Sequence, residues 1–247
     1  MRCVYCQNHL FSQDFSETKP GNRFEETGPS GLAEKMLELQ NAGCHNINLV
    51  SPTHYAIRIA EALEAAKRNS LNIPVIYNTG GYDNPEVIKL LDGIIDIYLP
   101  DMRYSSDHMA QKYSSAPGYT ENNRLLIKEM FRQAGTLKLN EEGIAEKGVI
   151  VRLLILPGNI SGTIETLKFL KKEVSTDIHL SIMSQYHPSY KAAEYPEIAG
   201  RIKKDEYERI VKTVRELGFE NGWIQDFMTD TERFLGTNIK PGGRIKP

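Results

Sequence analysis

The sequence predicts an α/β fold in which parallel strands alternate with covering helices. From about Ser30 onward, short β-branched apolar runs alternate with segments of helical period, and this pattern repeats about five times. The run Val149–Leu156 is almost continuously apolar, as expected for a strand buried on both faces of its sheet. A length of 247 residues suits one barrel-like α/β domain or two small domains. The sequence contains no linker that would divide the chain.

The first part of the chain predicts strands and helices in strict alternation. The helix Ser30–Asn41 has apolar residues near one face, and Gly43 ends it. The helix Tyr55–Lys67 is rich in Ala, Leu and Glu, which favour helices. The other predicted elements are the strand Asn46–Val50, the strand Pro74–Tyr77 with the exposed turn Asn78–Gly81, the helix Pro85–Leu91, and the strand Ile94–Leu99 ending at Pro100.

The second part of the chain begins with a loop, Pro100–Ser106, at the carboxyl edge of the sheet. Residues 136–147 are interpreted as a hairpin or loop insertion, because Asn140-Glu141-Glu142-Gly143 lies between two short runs. The remaining predicted elements are the helix Asn122–Ala134, the strand Val149–Leu156 stopped by Pro157-Gly158, the helix Thr163–Val174, the strand Ile178–Met183, the helix Asp205–Leu217 and the strand Trp223–Phe227.

Charge and composition exclude several classes of partner. A formal net charge of −2 and a pI near 6.3 provide no basic surface of the kind that nucleic acid or an anionic membrane requires. No apolar run reaches bilayer length, and the residues after Met1 lack the apolar segment of a signal peptide. We therefore expect a cytoplasmic protein whose partner is a small molecule or another protein.

The most informative short motif is the cysteine pair Cys3 and Cys6. Two thiolates at this spacing can bind adjacent irons or a single metal, and an odd total of 3 cysteines indicates a reducing compartment. A structural zinc site would need two more soft ligands, and no second cysteine pair follows, so zinc is disfavoured. The alternative is a pair of unliganded thiols in a flexible terminus. Cys44 is interpreted as a small core residue.

The segment Cys3-Val4-Tyr5-Cys6-Gln7-Asn8 resembles the second half of the Cys-x3-Cys-x2-Cys motif of radical S-adenosylmethionine (SAM) proteins, in particular those similar to pyruvate formate-lyase activating enzymes. The resemblance implies a four-iron (4Fe–4S) cluster held by three thiolates, with SAM on the remaining iron. The first cysteine of the motif, and the family's first barrel strand, would precede Met1. The resemblance thus implies a partial (β/α)6 TIM-like barrel of the radical SAM type that lacks its first strand. Its single domain would span residues 1–247, with a cluster-binding region at 1–29 and a C-terminal extension at 218–247.

Further matches follow at the ends of the next two strands, where barrel ligands bind. Ser51-Pro52-Thr53 occupies the place of the family's Gly-Gly-Glu, so Ser51 and Thr53 would offer neutral oxygens where the family has an acid. Asn78-Thr79-Gly80 resembles the family turn that approaches SAM, which implies SAM contacts for Asn78 and Thr79. A plain loop is the alternative for that turn.

Later strand ends continue the match. Pro100-Asp101-Met102-Arg103 resembles the Leu-Asp-Leu-Lys segment of activases, and a solvated loop pair is the alternative for Asp101 and Arg103. Arg152 lies in an apolar strand and needs an anionic partner, which is the SAM carboxylate in the family and a structural salt bridge otherwise. His187 resembles the activase histidine beside the nucleoside, with a turn histidine as the alternative.

The function implied by the resemblance is that of an oxidoreductase that reductively cleaves SAM and uses the 5′-deoxyadenosyl radical to abstract a hydrogen atom. The implied target is a glycine Cα–H of a glycyl radical enzyme or another protein substrate, and the implied electron donor is a flavodoxin or a ferredoxin. No catalytic side chain is assigned, because the cofactors perform the chemistry. The competing hypothesis is a non-catalytic or truncated barrel fragment without a complete iron–sulfur site.

Overall fold

A computed structural model describes residues 1–9 and 26–227. Its described residues form two compact units. Unit 1 contains residues 1–9, 101–121 and 151–227, and unit 2 contains residues 26–100 and 122–150. Parts of two predicted regions, 1–29 and 218–247, lie outside the described residues. That residues 1–247 form a single domain stays a prediction.

The helices and strands alternate through the described part of the chain. In chain order they are α1 (Pro29–Asn41), β1 (Ile47–Val50), a 3₁₀ turn (Pro52–Tyr55), α2 (Ala56–Arg68), β2 (Val75–Thr79), α3 (Pro85–Leu90), β3 (Ile97–Pro100), α4 (Asp107–Ser114), α5 (Tyr119–Ala134), β4 (Lys138–Leu139), β5 (Ala145–Leu154), a 3₁₀ turn (Pro157–Asn159), α6 (Thr163–Glu173), β6 (His179–Met183), a 3₁₀ turn (Ala192–Glu194), α7 (Lys204–Glu216) and β7 (Gly222–Ile224).

Unit 2 is built on parallel strands in the order β1-β2-β3-β5, with β1 at the edge. Helix α2 shows why this sequence forms an amphipathic helix: its buried residues follow the spacing i, i+3, i+4, i+7, which is one face of an α-helix. These residues are Ile59, Ala62, Leu63 and Ala66. Alternate residues of β2 are buried as well, as the pleat of a strand requires.

A short hairpin also belongs to unit 2. Strand β4 pairs antiparallel with the start of β5, with Lys138 opposite Lys147. Asn140 shapes the connecting turn, because its side chain accepts hydrogen bonds from the backbone of Glu142 and Ile144. Gly143 adopts a φ of 79°, a conformation that glycine reaches without steric cost.

Unit 1 contains the second half of β5 and the parallel pair β6 and β7. Leu180 of β6 lies opposite Gly222 of β7, and the amide of Ile155 donates to the Met183 carbonyl at 3.1 Å. The core of this unit consists of fully buried aliphatic side chains from strands and helices, including Val151, Leu180, Ile182, Leu167 and Val214.

Helix α4 was not predicted, and the end of β2 was predicted to be an exposed turn. The segment after the predicted loop Pro100–Ser106 forms α4, whose buried Ala110, Tyr113 and Ser114 have helical spacing. Asn78 and Thr79, predicted to lie in a turn, belong to β2, because they continue its pairing with Leu99 and Pro100 of β3.

Among the described residues, no helix combines the length and the apolar character needed to cross a bilayer.

Candidate functional site

Both cysteines of the N-terminal pair lie in one turn of unit 1. The Cys6 amide donates to the Cys3 carbonyl at 3.1 Å. The turn is attached on two sides, since the Val4 amide donates to Tyr113 at 2.9 Å and the Val4 carbonyl accepts from Lys191 at 2.9 Å. Cys3 is buried and Cys6 is partly exposed. Backbone pairing therefore orders this turn, which disagrees with the alternative of a flexible terminus.

The Cys3 sulfur accepts hydrogen bonds from two side chains. Ser114 Oγ donates to Cys3 Sγ at 3.1 Å, and Arg103 Nη1 lies 3.6 Å from the same sulfur. Ser114 Oγ is also 2.7 Å from the Tyr104 hydroxyl, which is 2.6 Å from the Tyr5 hydroxyl. A serine hydroxyl has one proton, so while Ser114 donates to sulfur it accepts from Tyr104, which in turn accepts from Tyr5. The result is a buried hydrogen-bond chain that ends on Cys3.

A second group in unit 1 places one carboxylate between two guanidinium groups. Asp101 Oδ2 lies 2.6 Å from Arg103 Nη2, and Asp101 Oδ1 lies 2.7 Å from Arg152 Nε. The side chains are 9% exposed for Asp101, 25% for Arg103 and 26% for Arg152. One negative and two positive charges leave a net charge of +1 for this cation group of Asp101, Arg103 and Arg152. Such a group can accept a further anion.

Burial would lower the pKa of Arg103, but the carboxylate of Asp101 and the nearby Cys3 raise its pKa well above the usual value. Arg103 is therefore a permanent cation beside the cysteine turn. Burial also raises the pKa of Tyr5, so this hydroxyl stays protonated and can donate. The Nε atoms of Arg103 and Arg152 are both buried and donate no aligned hydrogen bond within the described residues. For Arg152, the short contact with Asp101 is thus an ion pair without hydrogen-bond alignment.

Backbone hydrogen bonds hold the segments of Asp101 and Arg152 side by side. Asp101 follows β3 directly and forms a parallel bridge with Arg152 of β5. The Met102 amide donates to the Arg152 carbonyl at 3.0 Å. The anionic partner that the partly buried Arg152 requires is provided by Asp101, as in the salt-bridge alternative. A contact between Arg152 and the SAM carboxylate stays a prediction.

His187 is partly exposed and follows β6 in unit 1. Its neighbour Tyr186 is buried, packs edge-on against Tyr5 at 5.8 Å between ring centroids, and donates to the Ile198 carbonyl at 2.7 Å. His187 is therefore adjacent in sequence to a residue that contacts the cysteine turn. Its predicted place beside a nucleoside stays a prediction.

The other predicted site residues belong to unit 2. Ser51 is exposed, has a left-handed φ of 54°, and donates its amide to the Asn78 carbonyl at 2.8 Å. Thr53 and Thr79 share a partner that sequence reasoning missed, the carboxylate of Asp83. SAM contacts for Ser51, Thr53, Asn78 and Thr79 stay predictions.

Asp83 accepts three hydroxyl hydrogen bonds and is only 3% exposed. Thr53 donates at 2.6 Å, Thr79 at 2.5 Å and Tyr77 at 2.9 Å. Burial raises the pKa of Tyr77, and the charge of Asp83 adds to this effect. Asp83 forms no salt bridge within the described residues. It lies just after the glycine turn that follows β2, which was the sequence signal that could have revealed it.

These residues fit part of an iron–sulfur site. The Cys3 sulfur accepts hydrogen bonds from Ser114 and Arg103, and cysteine sulfur is the ligand type that holds iron–sulfur clusters. Cys3 and Cys6 thus suit two of the three thiolate positions of the motif. No group of three or more His, Cys, Asp and Glu side chains in residues 1–9 and 26–227 is arranged to hold a metal ion.

Sequence comparison identifies one relative. The chain is 28% identical over 225 residues to the uncharacterized protein MJ0674 of Methanocaldococcus jannaschii, and the match covers 89% of this chain and 60% of that protein. No protein-family model matches the sequence.

Solved structures provide the second comparison. Methylornithine synthase (PylB) matches with a TM-score of 0.53 and 14% identity, covering 88% of this chain and 58% of that chain. HydG, a maturase of the [FeFe]-hydrogenase, matches with a TM-score of 0.55 and 12% identity, covering 94% of this chain and 50% of that chain. This chain spans less than two thirds of the length of each protein it matches here. The two structural likenesses, together with the parallel strand pairing, identify its fold as a partial TIM-like α/β barrel.

Proposed function

We propose that this chain is the barrel of a radical SAM enzyme that uses an iron–sulfur cluster and SAM to abstract a hydrogen atom. The observation that carries the proposal is the position of Cys3, whose sulfur contacts Ser114 and Arg103 in an ordered turn of unit 1. A fold of the radical SAM type supports the proposal.

Cys3 and Cys6 would provide two of the thiolate ligands of the cluster. When bound, a 4Fe–4S cluster supplies the electron that cleaves SAM to methionine and a 5′-deoxyadenosyl radical. The chain's own residues then act by binding and orientation. The buried Tyr5 and Tyr186 rings exclude water from one side of the turn.

The cation group of Asp101, Arg103 and Arg152 is the proposed binding site for the SAM carboxylate. Its net charge of +1 and its two buried, unaligned Nε–H groups favour an anion with two acceptor oxygens. Asp101 holds both guanidinium groups in place, so the orientation of a bound carboxylate would be set in advance. Hydroxyl and amide groups of Ser51, Thr53, Asn78 and Thr79, and the ring of His187, are assigned to SAM by the family resemblance.

The finer assignments rest on the same resemblance. The proposed target is a glycine Cα–H of a glycyl radical enzyme or another protein substrate, with a flavodoxin or ferredoxin as electron donor in the cytoplasm. The activase-like branch belongs to this proposal too.

A second candidate is a non-catalytic barrel fragment. It is favoured by one observation, that no group of three or more His, Cys, Asp and Glu side chains in residues 1–9 and 26–227 is arranged to hold a metal ion. The two candidates differ in whether a 4Fe–4S cluster and SAM cleavage can be obtained.

Anaerobic reconstitution tests the proposal. The longest chain encoded by the open reading frame is supplied with iron and sulfide, reduced, and assayed for 5′-deoxyadenosine. We expect cleavage of SAM by this chain and by Cys44→Ala, and none by Cys3→Ala or Cys6→Ala. Absence of 5′-deoxyadenosine from the parent, or equal amounts from Cys3→Ala, would establish the fragment hypothesis instead.

A further inference from the structure

We propose that Ser114 and Arg103 are positioning residues that set the reduction potential of the cluster bound by Cys3, through the hydrogen bonds that they donate to its sulfur. The inference rests on the proposed function and concerns residues outside the Cys-x3-Cys-x2-Cys motif. Both donors come from segments that lie far from Cys3 in sequence and that pack against the cysteine turn within unit 1.

The hydrogen bond from Ser114 to Cys3 is well suited to this role because water cannot reach it and its donor is fixed. Ser114 has no exposed surface, so water cannot replace its hydroxyl at the sulfur. Its backbone carbonyl accepts from the Arg2 amide at 2.8 Å, which holds the turn against the end of α4. Tyr5 donates to Tyr104, and Tyr104 donates to Ser114. The Ser114 proton is therefore left to donate to Cys3.

The Arg103 contact adds a fixed positive charge. Asp101 holds the guanidinium through Nη2 at 2.6 Å, while Nη1 faces the Cys3 sulfur at 3.6 Å. A guanidinium keeps its charge throughout the pH range in which proteins are folded. Its field at the sulfur is therefore constant.

Both contacts act in the same direction on a cluster ligand. Reduction adds an electron to the cluster and its sulfur ligands, and hydrogen bonds to those sulfurs are one of the factors that set the potential. A donor interacts more strongly with the more negative state, since hydrogen bonds to charged groups are the stronger ones. Ser114 and Arg103 therefore stabilise the reduced cluster and make its potential less negative.

The test is a redox titration of the reconstituted longest chain, followed by electron paramagnetic resonance, with iron and sulfide content measured in parallel. In Ser114→Ala we expect the ratio of reduced to oxidised cluster at a fixed ambient potential to fall about fivefold. Ser161→Ala is the matched control, because Ser161 is also a buried serine of unit 1, and its hydroxyl is 3.0 Å from Thr163 Oγ1. Its potential should equal that of the parent.

A second variant keeps the test decisive if Ser114→Ala takes up too little iron. Tyr104→Phe leaves Ser114 in place but removes the hydroxyl that directs its proton, so the potential should shift in the same direction by a smaller amount. A potential unchanged in both variants at full iron content would overturn the inference and leave the proposed function intact. A parent chain that holds no cluster would overturn both.

Discussion

Asp101 is the residue on which the charge balance of the cation group depends. Burying two guanidinium groups is costly unless each has an anionic partner, and the single carboxylate of Asp101 is within 2.7 Å of both Arg103 and Arg152. Removal of its charge leaves two half-buried cations facing each other.

We expect Asp101→Asn to lower the free energy of unfolding by about 2 kcal/mol, less than for a fully buried pair because the two arginines are a quarter exposed and partly screened by solvent. Urea denaturation measures this as a lower midpoint with an unchanged slope. The control is Asp92→Asn, whose carboxylate is also 2.6 Å from an arginine, Arg132, but on the surface. The control should cost below about 0.5 kcal/mol. Equal losses in the two variants would contradict this account of burial.

Glu197 is a residue whose titration reports on its contacts with Lys112 and Tyr113. Hydrogen bonds from Lys112, and then from Tyr113, lower the pKa of Glu197 from 4.5 to about 2. Because the pKa is lower in the folded state, the contribution to stability is complete above pH 4.5 and is lost as the pH falls toward 2.

Carboxyl carbon shifts measured by nuclear magnetic resonance against pH should place the Glu197 midpoint near 2. Lys112→Gln should move the midpoint toward 4.5, because it removes the largest cause of the shift. The shift should also shrink in high salt, since the contact is exposed. A midpoint that does not respond to Lys112→Gln would assign the shift to another group.

Strand β5 depends on a glycine where it meets the hairpin. Gly148 has a φ of 133°, and a Cβ atom there would lie 2.4 Å from Leu137 Cα and 2.7 Å from Leu137 N. Backbone atoms cannot move aside as a flexible side chain can. No other residue type therefore fits at this position without distortion of the strand.

We expect Gly148→Ala to cost about 3 kcal/mol, from backbone strain and overpacking together. Gly143→Ala is the matched control, because Gly143 also has a positive φ of 79° but has open space where the new methyl group would lie. It should cost about 1 kcal/mol. Both are measured by urea denaturation, and a Gly148→Ala protein as stable as Gly143→Ala would show that Leu137 can give way.

Four helices were predicted to within one residue at each end. Helices α1, α2, α6 and α7 begin and end close to the predicted positions, since apolar spacing and glycine stops are local signals. Helix α4, Asp107–Ser114, was missed because few of its residues are apolar, so that no helical period stands out in the sequence. The end of β2 was missed because Asn78 is typical of turns, and only pairing with β3 keeps it extended.

For the molecule as a whole, the fold class follows from the alternation of predicted strands and helices alone. Strands with apolar runs, each followed by a helix, pair in parallel because a helix crossover returns the chain to the same edge. The predicted α/β barrel-like fold is confirmed by the parallel pairing of β1, β2 and β3 and by the likeness to PylB and HydG.

Cys3, Cys6, Asp101, Arg103 and Arg152 were predicted as site residues from segments that resemble the radical SAM family, and these assignments stay predictions. Their partners could not be named in this way. Ser114 is 111 positions and Arg103 is 100 positions from Cys3, and no local pattern marks a serine as a donor to a distant sulfur. Asp83 likewise is recognised only in the structure, where the hydroxyl groups of Thr53 and Thr79 donate hydrogen bonds to it. Hydrogen bonds between distant segments depend on where the backbone brings those segments in space, and folding alone determines that.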